Sequence, residues 1–436
     1  MSRRKSNESQ EKIQKLLVDN VKAVNEWVGF SQRNTKITAE VFVQTLVLGW
    51  LKKKDASLNE LAHSARELGV TITGSALHER IGKQAVMLLA GVLNRTLATL
   101  QKPCPLPLDQ LKKFRAIYIT DSSQIALPAR IAPIFQGNQD NSMLKLQVTW
   151  DYLNGHLAAI EIDHGRSPDQ ACQLHVHHAQ PGTLQLFDLG YFDQEDLRDI
   201  ARQDAYFVSR YQSQTALYDP ETHLKFDLAQ WLQTMAGNTV DREVLLGRNA
   251  KLPVRIIARR VSQETADARR RKVKKKARGQ GKTCSASYLF LQGWDIVVTN
   301  LDAHDWEPYQ IFDLYAIRFQ IEWLFRIWKD QIGIDEIGQW RIERIMIQLY
   351  AHLLAALLTH LLTAPYRWDQ FEFSFTKTVQ IIQSSVNRLM RCFALRGWGI
   401  IAWINRLERD FRSFGAKTNR RKSPSTAQLI YRWGLS

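Results

Sequence analysis

The chain is 436 residues long and 45% hydrophobic, enough for about two to four domains with packed cores. Lysine and arginine outnumber aspartate and glutamate by 59 to 43, a net charge of +16, so a polyanion is the expected partner. That charge is spread over the whole chain, which argues against a protein that coats a membrane. Cys104, Cys172, Cys284 and Cys392 are dispersed and form no CxxC pair, and the opening MSRRKSNESQEKIQK lacks the apolar run of a secretion signal. These features speak against a disulfide scaffold, a zinc module and export, and suit a reducing cytoplasm.

Residues 1–110 read as helical. Ser57 with Glu60 has the spacing of a capping box, Gly69 follows as a break, and Thr73-Gly74-Ser75 opens a further helix. Two short helices around a tight turn suit a helix-turn-helix DNA-binding unit as well as a plain bundle.

From Phe114 the periodicity becomes that of strands. AIYITD, KLQVTWDYL and HLAAIEIDH are expected strands, the last two joined by a tight turn at Asn154-Gly155. A helix is expected over 168–179, and its His175, His177 and His178 read as an exposed helix end rather than a metal site. LQLFDLG and AYFVSRY follow as strands around the helix QEDLRDIARQ. Three strands, a helix, a strand, a helix and a strand is the ribonuclease H-like order, in which the first and fourth strands are neighbours.

Residues 214–300 interrupt this core. KLPVRIIARRV and SYLFLQGWDIVVTNL read as strands, and the basic, Gly-punctuated Arg269–Lys282 between them reads as a mobile loop. The later run Ile345–Leu362 is nearly long enough to cross a bilayer, but Gln348, His352 and His360 within it favour a buried helix packed on a sheet. Beyond about 365 the chain is helical and basic. The expected fold is therefore mixed α and β: a helical segment 1–110, a core at 111–213 resumed at 301–365, an intervening β-rich segment 214–300, and a helical segment 366–436.

The most informative stretch is YAIRFQIEWLFRIWKDQIG. On a helix at about 100° per residue, Tyr315, Arg318, Glu322 and Lys329 fall within an arc of roughly 60°. Ile317, Ile321, Leu324 and Trp328 form the opposite, inward stripe. Two other acids end apolar strands: Asp121 in AIYITDSS and Asp188 in LQLFDLGYF. If those strands are adjacent their carboxylates converge, and the helix brings Glu322 beside them. Three such acids repel one another unless divalent cations neutralise them. Hard oxygen ligands select Mg²⁺, with Mn²⁺ as a substitute. Two ions about 4 Å apart can serve phosphodiester chemistry without a protein nucleophile. Asp193 is the rival to Asp188, but it directly precedes a helix, as an N-cap does. Asp151, Glu161, Asp163, Asp313 and Asp330 read as turn or surface groups. GQGK at 279–282 lacks the spacing of a nucleotide-binding loop.

The pattern Y-x2-R-x3-E-x6-K, together with Asp121 and Asp188, resembles bacterial insertion-sequence transposases of the DDE type. The resemblance implies that Asp121, Asp188 and Glu322 are the catalytic metal ligands and that Tyr315, Arg318 and Lys329 grip DNA phosphates. It implies that 214–300 is a β-rich insertion domain, in which Trp294 matches a tryptophan that stacks on an extruded base. It further implies double-stranded DNA as partner, a homodimer at synapsis, no membrane, and a place in the cytoplasm on the nucleoid. Lys274, Lys275 and Lys276 are expected to hold DNA backbone without reading sequence. The alternatives are a nuclease of the same core without strand joining and a non-catalytic DNA-binding repressor.

Overall fold

The computed structural model describes residues 2–31, 36–100, 109–137, 141–338, 341–366, 374–416 and 426–433. It begins with helices α1 (Ser2–Gln14), α2 (Asn20–Val28), α3 (Ala39–Lys52), α4 (Leu58–Ser64), α5 (Gly74–Glu79) and α6 (Lys83–Thr99). The Ser57–Glu60 capping box is present at α4, and Thr73 accepts the Ala76 N–H at the start of α5. The run expected as one helix after Thr73 is broken near Gly82 into α5 and α6.

One mixed sheet carries ten strands in the order β3-β2-β1-β4-β5-β10-β9-β8-β6-β7. β1 (Ala116–Leu127), β2 (Ser142–Asp151) and β3 (His156–His164) form an antiparallel meander. Gly155, at φ 71°, turns the chain between β2 and β3, and Asp151 Oδ1 accepts the Asn154 N–H at 2.9 Å. β4 (Thr183–Phe187) is parallel to β1, and β5 (Tyr206–Arg210) is parallel to β4. This is the expected ribonuclease H-like arrangement. Between β3 and β4 only a 3₁₀ turn, Asp169–Ala171, and a single helical turn, α7 (Leu174–His177), replace the helix expected over 168–179. His175 is fully buried there, with Nε2 3.1 Å from Asp196 Oδ2, rather than lying at an exposed helix end. Asp196 belongs to α8 (Gln194–Arg202), which crosses between β4 and β5.

The intervening segment continues the same sheet. Its strands are β6 (Leu217–Tyr218), β7 (Lys225–Phe226), β8 (Thr239–Leu246), β9 (Leu252–Arg260) and β10 (Trp294–Thr299), and β10 pairs antiparallel with β5. Its helices are α9 (Leu228–Thr234), α10 (Gln263–Gly279) and α11 (Ala286–Leu291). Two expectations are corrected here. The basic stretch is a helix, α10, capped by Ser262, and SYLFL is a helix, α11, capped by Ser285, with only the residues from Trp294 forming a strand.

The chain then forms α12 (Pro308–Ile317), α13 (Phe319–Ile327), a π-helical turn Trp328–Ile332, α14 (Ile342–Thr363), α15 (Phe375–Ala394), α16 (Ile400–Phe414) and α17 (Thr426–Arg432). By length and composition α14 could cross a membrane, yet 89% of its most apolar window is buried. It packs mainly on α3 and α6, and meets the sheet at β3 and, through His360, at Trp150 of β2. One apolar core joins the N- and C-terminal helices to Ile117, Ile119, Leu184 and Leu186 of the sheet. A second, containing Phe187, Phe207, Leu197 and Trp294, covers the sheet elsewhere.

Candidate active site

Strand register brings the two aspartates together. β1 pairs with β4 from Ala116–Thr183 to Thr120–Phe187, so the next residues along each strand are Asp121 and Asp188. After Phe187 the chain leaves the sheet in a 3₁₀ turn, Leu189–Tyr191, at the carboxyl ends of the parallel strands. Asp121 does not end its strand, as the sequence suggested. β1 runs on to Leu127 against β2, and only its pairing with β4 stops at Thr120. Asp193, the rival acid, caps α8 by accepting the Glu195 and Asp196 N–H groups.

The third acid comes from above. Glu307 and Gln310 form a capping box with Pro308 at the first position of α12, and the helical path then runs towards β1. The expected single helix is divided at Arg318, the residue between α12 and α13. Ile317, Ile321, Leu324 and Trp328 are all buried, as expected of the inward stripe. The polar stripe is not a solvated line, because Tyr315 and Arg318 are only 6% and 4% exposed.

Arg318 lies among the acids. Its Nη1 donates to Asp121 Oδ2 at 3.1 Å and its Nη2 to Glu322 Oε1 at 2.8 Å. Tyr315 Oη donates to Asp188 Oδ1 at 3.5 Å. Lys329 Nζ, on the π-helical turn, donates to the Gln124 carbonyl at 3.1 Å, two turns of helix from Glu322 and three residues along β1 from Asp121. The sequence-derived set Asp121, Asp188, Tyr315, Arg318, Glu322 and Lys329 is thus gathered at one place.

Burial pushes the Asp121 carboxyl up to about 6, against the Ser122 N–H and Arg318, which favour its ionised form; Asp188 and Glu322 push it further up. Burial also pushes up the Tyr315 hydroxyl. For Arg318, burial opposes the charge, but Tyr315, Asp188, Asp121 and Glu322 together outweigh it and hold the guanidinium protonated. A raised carboxyl takes up a proton on folding between pH 4 and 6, so it lowers stability as pH rises through that window and lowers it fully above about 6. Asp121→Asn should therefore stabilise the metal-free protein at pH 8 by up to about 2–3 kcal/mol, with the gap closing as pH falls towards 4. Thermal melts of both proteins across that range test this. A variant less stable than the parent at pH 8 would show that the Arg318 pair outweighs the burial penalty.

The chemistry of the donor set, three carboxylates with no softer ligand among them, fits a hard divalent cation. Among the described residues, however, no three acidic, histidine or cysteine side chains stand close enough to share an ion. The Arg318 guanidinium stands between Asp121 and Glu322 and neutralises them in this arrangement.

The family model described as "Transposase DDE domain" matches residues 112–358. That span takes in all three acids and more than half of the chain. The chain belongs to the DDE transposase family. It is 25% identical over 425 residues to the transposase of insertion element IS231B from Bacillus thuringiensis subsp. berliner, covering 90% of this chain and 88% of the relative. It is also 25% identical over 359 residues to the IS1151 transposase of Clostridium perfringens, covering 76% and 75%. Among solved structures, a piggyBac transposase synaptic complex with hairpin DNA is similar at 9% identity and a TM-score of 0.46, covering 96% of this chain and 87% of that one. The protein is an insertion-sequence transposase, of a family that cleaves and transfers DNA strands with divalent metal ions.

Two further sequence-derived positions of this transposase lie apart from the acids. Trp294 is 4% exposed, sits in the second core, and carries the Arg260 guanidinium 4.4 Å from its ring centre. The space beside Gly293 is filled by the protein itself, because a Cβ there would meet Arg270 Nη2 and the Phe290 carbonyl, each at 3.3 Å. Lys274, Lys275 and Lys276 are exposed on α10, which Arg269 ties to β10 through a 2.7 Å bond to Asp295. Sequence reasoning passes over Asp169 and Lys145. The signal for them is a lysine within the strand LKLQVTW, where it is 6% exposed and needs a partner.

Proposed function

We propose that this transposase moves its element by cut-and-paste, with Asp121, Asp188 and Glu322 holding two Mg²⁺ ions, replaceable by Mn²⁺. The observation that carries the reading is the placement of Asp121 and Asp188 at the end of the β1–β4 pairing, with Arg318 of the same helical stretch as Glu322 bridging Asp121 to Glu322 and Tyr315 reaching Asp188. The ions, when bound, supply charge stabilisation for attack on a phosphodiester and departure of its 3′ oxygen. The chain's own task is placement. Tyr315, Arg318 and Lys329 stand beside the acids and are suited to holding the scissile strand's phosphates in line. Water attack frees a 3′ hydroxyl, which attacks the opposite strand to give a hairpin on the transposon end. The hairpin is reopened, and the 3′ end is joined to target DNA. Two ends must be held at once, so the working species is a homodimer on double-stranded DNA, in the cytoplasm on the nucleoid.

The test is cleavage of a labelled terminal inverted repeat by the purified protein with and without Mg²⁺, followed by joining of the released end to a plasmid. Cleavage without joining would leave a structure-specific nuclease. Binding without cleavage would leave a repressor.

Trp294 is the proposed stacking partner of a base extruded during hairpin formation. With Arg260 on its ring and little exposed surface, that role requires Arg260 to move aside. Trp294→Ala should leave first-strand nicking near normal and slow the hairpin step, because stacking is worth about 1–3 kcal/mol. A time course of nicked and hairpin products decides, and a loss of both steps together would mark Trp294 as core only.

α10 is proposed to hold DNA backbone. It presents three adjacent lysines and no aromatic side chain, so it lacks the means to stack on bases. Replacing Lys274, Lys275 and Lys276 by Gln should weaken binding to cognate and random DNA about equally and lower the salt slope by roughly one for each phosphate no longer neutralised. A loss confined to the cognate end in gel shifts would contradict this.

A further inference from the structure

Asp169 lies in the turn between β3 and β4 and belongs to none of the groups considered so far. Its Oδ1 accepts two hydrogen bonds, from Ser122 Oγ at 2.9 Å and from Lys145 Nζ at 2.9 Å. Ser122 is the neighbour of Asp121, and its N–H donates to Asp121 Oδ1 at 2.8 Å. The other oxygen of Asp169, Oδ2, faces Gly190, two residues beyond Asp188. A Cβ on Gly190 would stand 2.8 Å from that oxygen, closer than real Cβ atoms come, so any larger residue here would push the Asp169 carboxylate aside. The next residue repeats the tie, since Gln170 Nε2 donates to the Phe192 carbonyl at 2.8 Å. One turn therefore touches the chain beside both aspartates.

Lys145 holds this turn in place. It projects from β2 with its side chain 8% exposed and also donates to the Ser167 carbonyl. A buried ammonium with two oxygen partners, one of them a carboxylate, is a fixed point rather than a solvated charge. The pair is neutral as a whole, so it orders the chain beside the aspartates without adding to the repulsion among Asp121, Asp188 and Glu322.

We propose that Asp169, anchored by Lys145, is a positioning residue that sets the spacing of Asp121 and Asp188 and thereby the affinity of the site for its divalent ion. It acts through Ser122 on one side and through Gly190 on the other, and touches neither DNA nor the reacting phosphate. Groups that orient metal-binding carboxylates from behind typically change metal affinity or activity by about 10–100-fold when removed. The inference rests on the reading of the two aspartates as metal ligands.

The experiment uses the full chain. Mn²⁺ binding is followed by the loss of the free-ion signal in electron paramagnetic resonance, and the Mn²⁺ midpoint of end cleavage, end binding and melting temperature are measured on the same samples. Asp169→Asn should raise both Mn²⁺ midpoints by roughly 10–100-fold, leave end binding unchanged, and recover cleavage at saturating Mn²⁺. Gly190→Ala, which displaces Oδ2 without touching Lys145, should shift the midpoints in the same direction. Ser122→Ala added to Asp169→Asn should cost little more than Asp169→Asn alone, because both break one link.

Unchanged Mn²⁺ midpoints in Asp169→Asn and Gly190→Ala, with only a lower melting temperature, would reduce the pair to a structural ion pair and overturn the proposal. Should Asp169→Asn fail to fold, the shift expected of Gly190→Ala decides alone. A parent protein that neither binds Mn²⁺ nor cleaves ends would instead overturn the reading of the aspartates themselves.

Discussion

Asp121→Ala, Asp188→Ala and Glu322→Ala should each reduce end cleavage by about a thousandfold or more while the protein still binds its end. The size follows from the chemistry, since removing a ligand from a metal-assisted phosphoryl transfer forfeits several kcal/mol of charge stabilisation, and each 1.4 kcal/mol is about a factor of ten. Retained binding follows from where the cations are. Lys329 and the lysines of α10 are independent of the three carboxylates, and Arg318 loses only one of its acidic partners in two of the variants. Binding should even tighten at low salt, because each acid removed is one that repels a phosphate. Gel shifts and a Mg²⁺-dependent cleavage assay on one end fragment measure both. Normal cleavage by any one variant would remove that residue from the site.

Arg318→Ala should have the second-largest effect, and on two properties at once. Without the guanidinium, Asp121 and Glu322 face each other with no cation between them. Breaking a buried ion pair from one side costs about 3–5 kcal/mol, and the exposure of Glu322 places this case at the lower end of that range. The part of the loss due to Asp121 should shrink as pH falls towards about 6, because without Arg318 that carboxyl takes up its proton at a higher pH than in the parent. Mg²⁺ should raise the melting temperature of the variant more than that of the parent, since a divalent ion then takes a place that an arginine no longer contests. Cleavage should fall by about 10²–10³, the usual consequence of losing one charge-stabilising donor, and the salt slope of end binding should drop by roughly one. A variant as stable as the parent and with an equal response to Mg²⁺ would show that the guanidinium is no counter-ion for the acids.

The acids are legible in sequence because local signals carry them. Asp188 directly follows a short apolar strand, and Asp193 has the position of an N-cap, which it fills. The placement of Asp121 is only half legible. Its strand continues because β2 pairs with it as far as Leu127, and antiparallel pairing between distant segments leaves no mark in the run DSSQIAL. α10 reads wrongly as a loop although the signals of a helix are present. Ala, Arg and Lys are good helix formers, Ser262 is a cap, and Glu264 and Lys276 suit the two ends of the helix dipole. The density of charge masks that propensity. α11 is hidden because aromatic residues suggest strands, which outweighs the single cap at Ser285 before them. The i,i+4 pair of Arg318 with Glu322 can be read locally, but its contact with Asp121 cannot, because that depends on how α13 packs across β1.

The pairing of β10 with β5 makes the intervening segment more than an accessory to DNA binding. Were residues 214–300 cut out as a cassette, β5 would lose the neighbour that occupies its far side, and the buried run Phe207-Val208-Ser209 would present open N–H and C=O groups at a sheet margin. Such a margin recruits strands from other chains. The shortened protein should therefore come out of the cell aggregated rather than as a smaller, simpler nuclease, so any attempt to trim this enzyme must keep β10 or supply another strand in its place.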